Sequence, residues 1–168
     1  MKAALAALLL LAPACGYRVL DPEVGRGRRV AVPTADNATR WRGLEADLTA
    51  GLRSDLQRLL EVRLSDGGDA DLLLHTEIRE ITRQAPVRDI QGGAAVGATR
   101  LVVLWRLEDP LGAVLGQGQI QRSLEFLPGE DENAYTALRE MLDAIAEHVV
   151  MEVSARLSAG GADGASET

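Results

Sequence analysis

Leucines recur at helical spacing between residues 44 and 60. They form a single apolar stripe made of Leu44, Leu48, Leu52, Leu56 and Leu59. The opposite side is charged, with acids mostly near the start and arginines further along, as the helix dipole prefers. The pattern predicts an amphipathic helix. Gly51 interrupts it at a cost of about 1 kcal/mol relative to alanine, which indicates close packing at that position.

Alternating apolar residues predict strands on both sides of this helix. Val30 and Val32 indicate a short strand within residues 28–39 that stops at Pro33. After the breaker SDGGDAD at residues 65–71, a second strand has one apolar side formed by Leu72, Leu74, Thr76 and Ile78. Ile81 is out of phase with Ile78, so a β-bulge or twist is expected near Arg79–Glu80. Residues 85–98, with their glycines, are predicted to form a loop.

Two further strands are predicted to form a hairpin. The first has an apolar side made of Leu101, Val103, Trp105 and Leu107. Asp109-Pro110-Leu111-Gly112 suits a type I turn, with proline second and glycine fourth. The return strand has a polar face made of Gln117, Gln119, Gln121 and Ser123, opposite Ile120, Leu124 and Phe126. Arg122 falls on the apolar side, which predicts another bulge.

A long helix is predicted from Asn133 to Leu157, capped by Asp131 or Asn133. Residues 158–168 are small and polar and are expected to be a disordered tail. The predicted fold is therefore a single α+β domain over residues 15–157, in the order β-α-β-β-β-α. A four-stranded sheet would carry both helices on one face. Its other face, with the glutamine row, would meet solvent or a partner.

The N-terminus has the pattern of a secretory signal over residues 1–14. Lys2 is followed by an apolar run from Ala3 to Leu11, which is shorter than the ~20 residues of a membrane-spanning helix. The segment Leu11-Ala12-Pro13-Ala14 then precedes the chain's one cysteine, Cys15. This resembles a bacterial lipoprotein signal, although Ala12 stands where leucine is usual. Acylation of Cys15 is the prediction, and Gly16 after it favours outer-membrane sorting by the same resemblance. The alternative is an ordinary cleaved signal with an incidental cysteine.

Charge changes along the chain. The formal net charge is −7, yet residues 15–43 hold six arginines against three acidic residues, and residues 125–168 hold two against ten. Every cation after Lys2 is arginine. Codon bias is one explanation, and a preference for bidentate contacts with phosphate is the other. Net acidity argues against a nucleic-acid-binding protein, because phosphate neutralisation needs a basic face.

Catalytic or metal-binding patterns do not emerge from the sequence. Without a lysine after Lys2, neither a phosphate-loop lysine nor a lysine Schiff base is expected. His75 and His148 have no metal-ligand spacing and are interpreted as structural. GGAAVG at residues 92–97 lacks the spacing of a phosphate-binding loop. We expect no enzyme activity, no cofactor and no metal.

The order of short motifs resembles the LPS-assembly lipoprotein family, LptE. CGYR at residues 15–18 is followed by VAVPTADNATRWRGLEADLTAGLRSDL at residues 30–56, then by the Ala70-Asp71-Leu72 strand, the Trp105 hairpin and the closing helix. The resemblance implies an outer-membrane lipoprotein that sits as a plug inside a large β-barrel partner, LptD. Together the two would deliver lipopolysaccharide to the outer leaflet, and the lipoprotein would help its barrel fold.

Phosphate contacts by arginine follow as an expectation from the same resemblance. Candidates lie in the N-terminal segment or in the middle of the chain, namely Arg26, Arg28, Arg29, Arg83, Arg88 and Arg100. Ordinary solvated arginines or contacts with the barrel lumen are the alternative. The runner-up function is a periplasmic scaffold or activator of a cell-wall synthase, since VAVPTADNATRW also resembles such lipoproteins. Those usually have a long linker after the cysteine, whereas the segment from Cys15 to Val30 is short.

Overall fold

Six strands and two long helices are present in the computed structural model, which describes residues 20–88, 94–126 and 134–164. A 3-10 turn, Pro22–Val24, precedes them. In chain order the elements are β1 Arg29–Ala31, β2 Asp36–Asn37, α1 Leu44–Leu60, β3 Arg63–Ser65, β4 Leu72–Arg88, β5 Ala94–Glu108, β6 Val114–Phe126 and α2 Ala134–Gly164.

The strands form one mixed sheet in the order β3-β1-β4-β5-β6, with β2 also paired to β4. β1 is parallel to β3 and β4, and β4, β5 and β6 are antiparallel neighbours. The predicted α+β class is confirmed, with two helices on one face of the sheet. The strand count is higher than the predicted four, because β2 and β3 are two and three residues long and too short to show alternation.

The topology gives the sheet two distinct ends. At the near end, residues 20–28 lead into β1, β4 and β6 begin, and β5 ends. At the far end, β4 and β6 end and β5 begins. Helix α2 runs back to the near end, where Ser154 Oγ donates to the Asp21 carbonyl oxygen at 3.5 Å. β4 has seventeen residues, so the two ends are roughly 50 Å apart.

The core lies between the helices and one sheet face. The leucines of α1 at 44, 48, 52, 56 and 60 are fully buried, as are Ile145, Val149 and Val150 of α2. The sheet contributes Leu74, Ile78, Leu101, Val103, Trp105 and Leu107. Burying aliphatic side chains of this size contributes about 1.5–3 kcal/mol each. Packing of leucine and valine therefore stabilises a domain that has few aromatic residues.

One of the two predicted bulges is confirmed. The β4–β5 register shifts between Ile78 and Glu80, so both Ile78 and Ile81 lie on the core side. The bulge predicted at Arg122 is wrong, because β5 and β6 pair without a shift around that residue. Arg122 instead stays exposed at the sheet edge, where its guanidinium lies 3.4 Å from His148 Nδ1.

Two boundary predictions are corrected. The loop predicted at 85–98 is strand where the structure describes it: β4 continues to Arg88 and β5 starts at Ala94, with Val87 paired to Val96. Backbone pairing overrides the weak signal of small residues there. α2 continues past Leu157 to Gly164, so the expected disordered tail is helical over 158–164. Helix propagation adds hydrogen bonds at little cost once a helix is nucleated. Asp131 and Asn133, the predicted caps, lie outside the described residues.

Candidate functional site

The sheet face away from the helices is polar, and we call it the open face. Its cross-strand rows include His75–Arg106–Gln117 and Glu77–Leu104–Gln119. These six residues line a shallow concavity of about 630 Å³, together with Asp36. The predicted glutamine row is confirmed as exposed. Each glutamine amide offers two donors and one acceptor oxygen, so this face suits contact with a polar surface.

Several charged groups on the open face pair with neighbours on the same face. Glu108 Oε1 lies 2.9 Å from Arg106 Nε, and Glu108 Oε2 lies 3.6 Å from His75 Nε2. Arg100 Nη2 lies 3.1 Å from Glu80 Oε1. A hydrogen bond from Thr82 and then the nearby Arg100 lower the pKa of Glu80. The face therefore combines uncharged amides with paired ions rather than a single sign of charge.

A structured loop carries Trp41 towards the far end of the sheet. Asn37 organises the loop, because its amide nitrogen donates to the Trp41 carbonyl at 2.6 Å and to Glu45 Oε2 at 2.7 Å. Its oxygen accepts from the Thr39 amide at 2.9 Å. The hydrogen bond from the Asn37 amide has the largest effect in lowering the pKa of Glu45, and backbone amides including that of Gly43 lower it further. These hydrogen bonds order the loop that carries Trp41.

Arg83 stacks on this tryptophan. Its guanidinium carbon lies 5.4 Å from the centre of the Trp41 ring, which is within the range of a cation–π interaction. Arg40 and Arg42 flank Trp41 in sequence, and all three arginines are exposed. Trp41, Arg40, Arg42 and Arg83 together form what we call the far-end arginine cluster. An exposed guanidinium fixed on a ring can still offer its N–H groups to an anion.

A model of the family described as "LptE: Lipopolysaccharide-assembly" matches residues 27–153. The match begins just before β1 and ends within α2, so it spans every strand. The chain belongs to the LptE family. This membership confirms the family prediction made from the sequence, and it identifies the protein as an LPS-assembly lipoprotein in kind. Among curated proteins, none matches the sequence.

Solved structures share the fold at low sequence identity. Hypothetical protein CT253 from Chlamydia trachomatis is 14% identical, with a TM-score of 0.59, over 80% of this chain and 99% of that one. Uncharacterized lipoprotein B from Nitrosomonas europaea is 18% identical, with a TM-score of 0.55, over 86% and 94%. A protein from Xanthomonas campestris is 11% identical, with a TM-score of 0.51, over 84% and 90%. These likenesses support the fold of the LptE-family domain.

The candidate arginines of this LptE-family chain do not form one site. Arg83 pairs with Thr99, which is buried on the helix side, whereas Arg100 pairs with Thr82 on the open face. Arg88 is the last residue of β4, and its side chain is not among those that the structure describes. Arg83 and Arg100 therefore face opposite sides of the sheet, although both lie towards its far end.

The N-terminal arginine candidates are engaged near the other end. Arg26 pairs with Glu23 at 2.7 Å and with Glu61 at 2.9 Å. Arg29 pairs with Asp69 and Asp71. Arg28 is exposed, and it adds to the positive field at Asp71. Ion pairing makes Arg26 and Arg29 poorer candidates for a phosphate contact than Arg83.

Trp41 was not predicted as a site residue. The sequence offers one local indication of such a site, because RWR at residues 40–42 places an aromatic side chain between two cations. Its partner Arg83 is distant in sequence, so that contact is visible only in the fold. Cys15, Gly16 and the signal at 1–14 lie outside the described residues.

Within residues 20–88, 94–126 and 134–164 no group of three His, Cys, Asp or Glu side chains is arranged to hold a metal ion. Neither helix in the described part of the chain is long and apolar enough to cross a membrane. His75 and His148 contact Glu108 and Glu152 instead.

Proposed function

We propose that this chain is an outer-membrane lipoprotein that binds inside a β-barrel partner of the LptD kind. The pair would transport lipopolysaccharide to the cell surface. The observation that carries the proposal is the polar open face of an LptE-family domain. Barrel lumens are polar and wet, and a face of amides and ion pairs can form hydrogen bonds there.

The proposal includes a lipid anchor. Cys15 would be acylated after removal of residues 1–14, and Gly16 would favour the outer membrane. Several acyl chains hold a soluble domain stably, since each buried methylene contributes about 0.8 kcal/mol. The domain would then work by non-covalent contact rather than by catalysis.

Lipopolysaccharide itself is proposed to meet the far-end arginine cluster. Arg83 is the first candidate, because its stacking on Trp41 orients a charge without neutralising it. Arg100 lies on the open face, outside that cluster, and is a separate and weaker candidate because Glu80 already pairs with it, and Arg88 remains a candidate on sequence alone. A phosphate would accept charge-assisted hydrogen bonds from the Arg83 guanidinium.

Site-specific photocrosslinking in outer membranes tests the partner. A photoreactive residue replaces Gln119 on the open face, and a matched control replaces Glu147, which is exposed on α2. We expect a large β-barrel protein crosslinked through position 119 and much less through 147, with recovery reduced by Cys15→Ser. A cell-wall synthase in place of the barrel, or no barrel crosslinked through position 119, would overturn the proposal.

A further inference from the structure

The turn between β5 and β6 exposes a group of large apolar side chains, which we call the hairpin tip, residues 109–115. Leu111 is 93% exposed, Val114 50% and Leu115 44%. The sequence from Pro110 to Gln121 contains no charged residue, in a chain that is 26% charged. A single exposed leucine needs no explanation, but a cluster of this kind is typical of an interaction site.

The tip is held in one shape by its own hydrogen bonds. The Gly112 amide donates to the Asp109 carbonyl at 3.0 Å, and Gly112 has a φ of 85°, which favours glycine. Asp109 Oδ1 accepts from the amides of Leu111 at 2.9 Å and Ala113 at 2.8 Å. The one carboxylate of the tip is therefore turned towards the turn backbone. What the tip presents to its surroundings is apolar.

The tip lies at the same end of the molecule as the start of the domain. Ser154 of α2 donates to the Asp21 carbonyl, and two residues further along α2 the Arg156 side chain packs beside Gly116 of β6. One turn of α2 thus contacts both the N-terminal segment and the base of the tip. From Asp21 back to Cys15 the chain can reach at most roughly 20 Å. Leu111 is no more than roughly 18 Å from Gly116 along the chain.

We propose that the hairpin tip inserts into the lipid interface beside the acylated Cys15, as a second contact with the same leaflet. This inference rests on the lipid anchor of the proposed function. The short segment after Cys15 keeps the near end close to the bilayer, and the tip offers that surface leucine and valine without charge. A polar barrel lumen suits such a tip less well than acyl chains do. The far-end arginine cluster would then point away from this leaflet.

Fluorescence on vesicles tests the inference with the full, acylated protein. Leu111→Cys is labelled with a polarity-sensitive dye, which reacts there because acylated Cys15 has no free thiol. Ser123→Cys is the matched control, exposed on the same strand towards the far end. Both proteins are bound to vesicles of phosphatidylethanolamine and phosphatidylglycerol. We expect blue-shifted emission at position 111 and quenching by lipid-attached nitroxides, with neither at position 123.

Three results would overturn the inference, and they differ from one another. If the protein does not float with the vesicles, the anchor fails and the inference fails with it. If it floats and the two labels are equally accessible to a water-soluble quencher, the anchor stands and the tip does not insert. If position 111 is protected only after the β-barrel partner is added, the tip contacts the barrel instead of lipid.

Discussion

Gly51 of α1 faces Ala146 of α2 at a point where the two helices pack closely. A Cβ at position 51 would lie 3.3 Å from the Ala146 Cβ, and Ala146 is fully buried. The close packing predicted from a glycine inside the leucine stripe is thereby confirmed. Asp47 and Arg139, 3.2 Å apart, join the same two helices closer to their starts.

Substitutions at Gly51 separate helix propensity from helix contact. Gly51→Ala gains about 1 kcal/mol of propensity and crowds Ala146 slightly, so the free energy of unfolding should change by less than about 1 kcal/mol. Gly51→Val places a branched carbon at the contact and should lower that free energy by about 1–3 kcal/mol. Denaturant unfolding followed by circular dichroism measures both. Equal stability of the valine variant and the parent would show that the contact is not tight.

The contact between Asp71 and Arg29 should make the free energy of unfolding depend on pH in the acid range. Hydrogen bonds from the Arg29 side chain and then its backbone amide lower the pKa of Asp71 to about 2. A depressed pKa means that the folded state binds the proton less readily than the unfolded state, whose Asp pKa is about 3.9. The stabilisation is therefore present above pH ~4 and lost as the pH falls towards 2.

The free energy of unfolding, measured against pH for the parent and two variants, checks this prediction. Asp71→Asn should lower the free energy of unfolding at neutral pH and flatten its decline between pH ~4 and ~2. Asp66→Asn, an exposed carboxylate in the same turn, should leave that slope unchanged. An Asp71→Asn profile parallel to that of the parent throughout this range would contradict the role of the Arg29 contact.

Features that follow from the alternation of side chains along one strand could be predicted from the sequence. Features that need contact between segments far apart in the chain could not. Ile78 and Ile81 cannot both face the core of a regular strand, so the bulge between them was predictable. β2 and β3 are stabilised by pairing with β4 and β1, and their few residues show no periodicity of their own. The stacking of Arg83 on Trp41 joins two segments with no local signal, so the far-end arginine cluster emerged only from the fold.

Arg83 should contribute to lipopolysaccharide binding if the far-end arginine cluster is a phosphate site. Arg83→Gln should weaken binding of purified lipopolysaccharide roughly tenfold, the equivalent of one charge-assisted hydrogen bond. The affinity of the Arg83→Lys variant should lie between those of the parent and Arg83→Gln, because an ammonium keeps the charge and loses the planar stacking. Arg79→Gln is the control, since Arg79 is exposed on the same strand and pairs with Glu77 at 2.9 Å. Equal dissociation constants for the Arg83→Gln and Arg79→Gln variants would remove Arg83 from the proposed site.

Gly118 should be intolerant of any side chain because Trp105 covers it. A Cβ at position 118 would lie 2.7 Å from Trp105 Nε1, and Trp105 is 3% exposed, so the indole would have to leave its position in the core. Gly118→Ala is expected to lower the free energy of unfolding by about 1–3 kcal/mol and to change the tryptophan emission. Gly68→Ala is the matched control, since no atom lies within 4 Å of a Cβ there. Unchanged emission together with parental stability in the Gly118→Ala variant would show that Trp105 packs elsewhere.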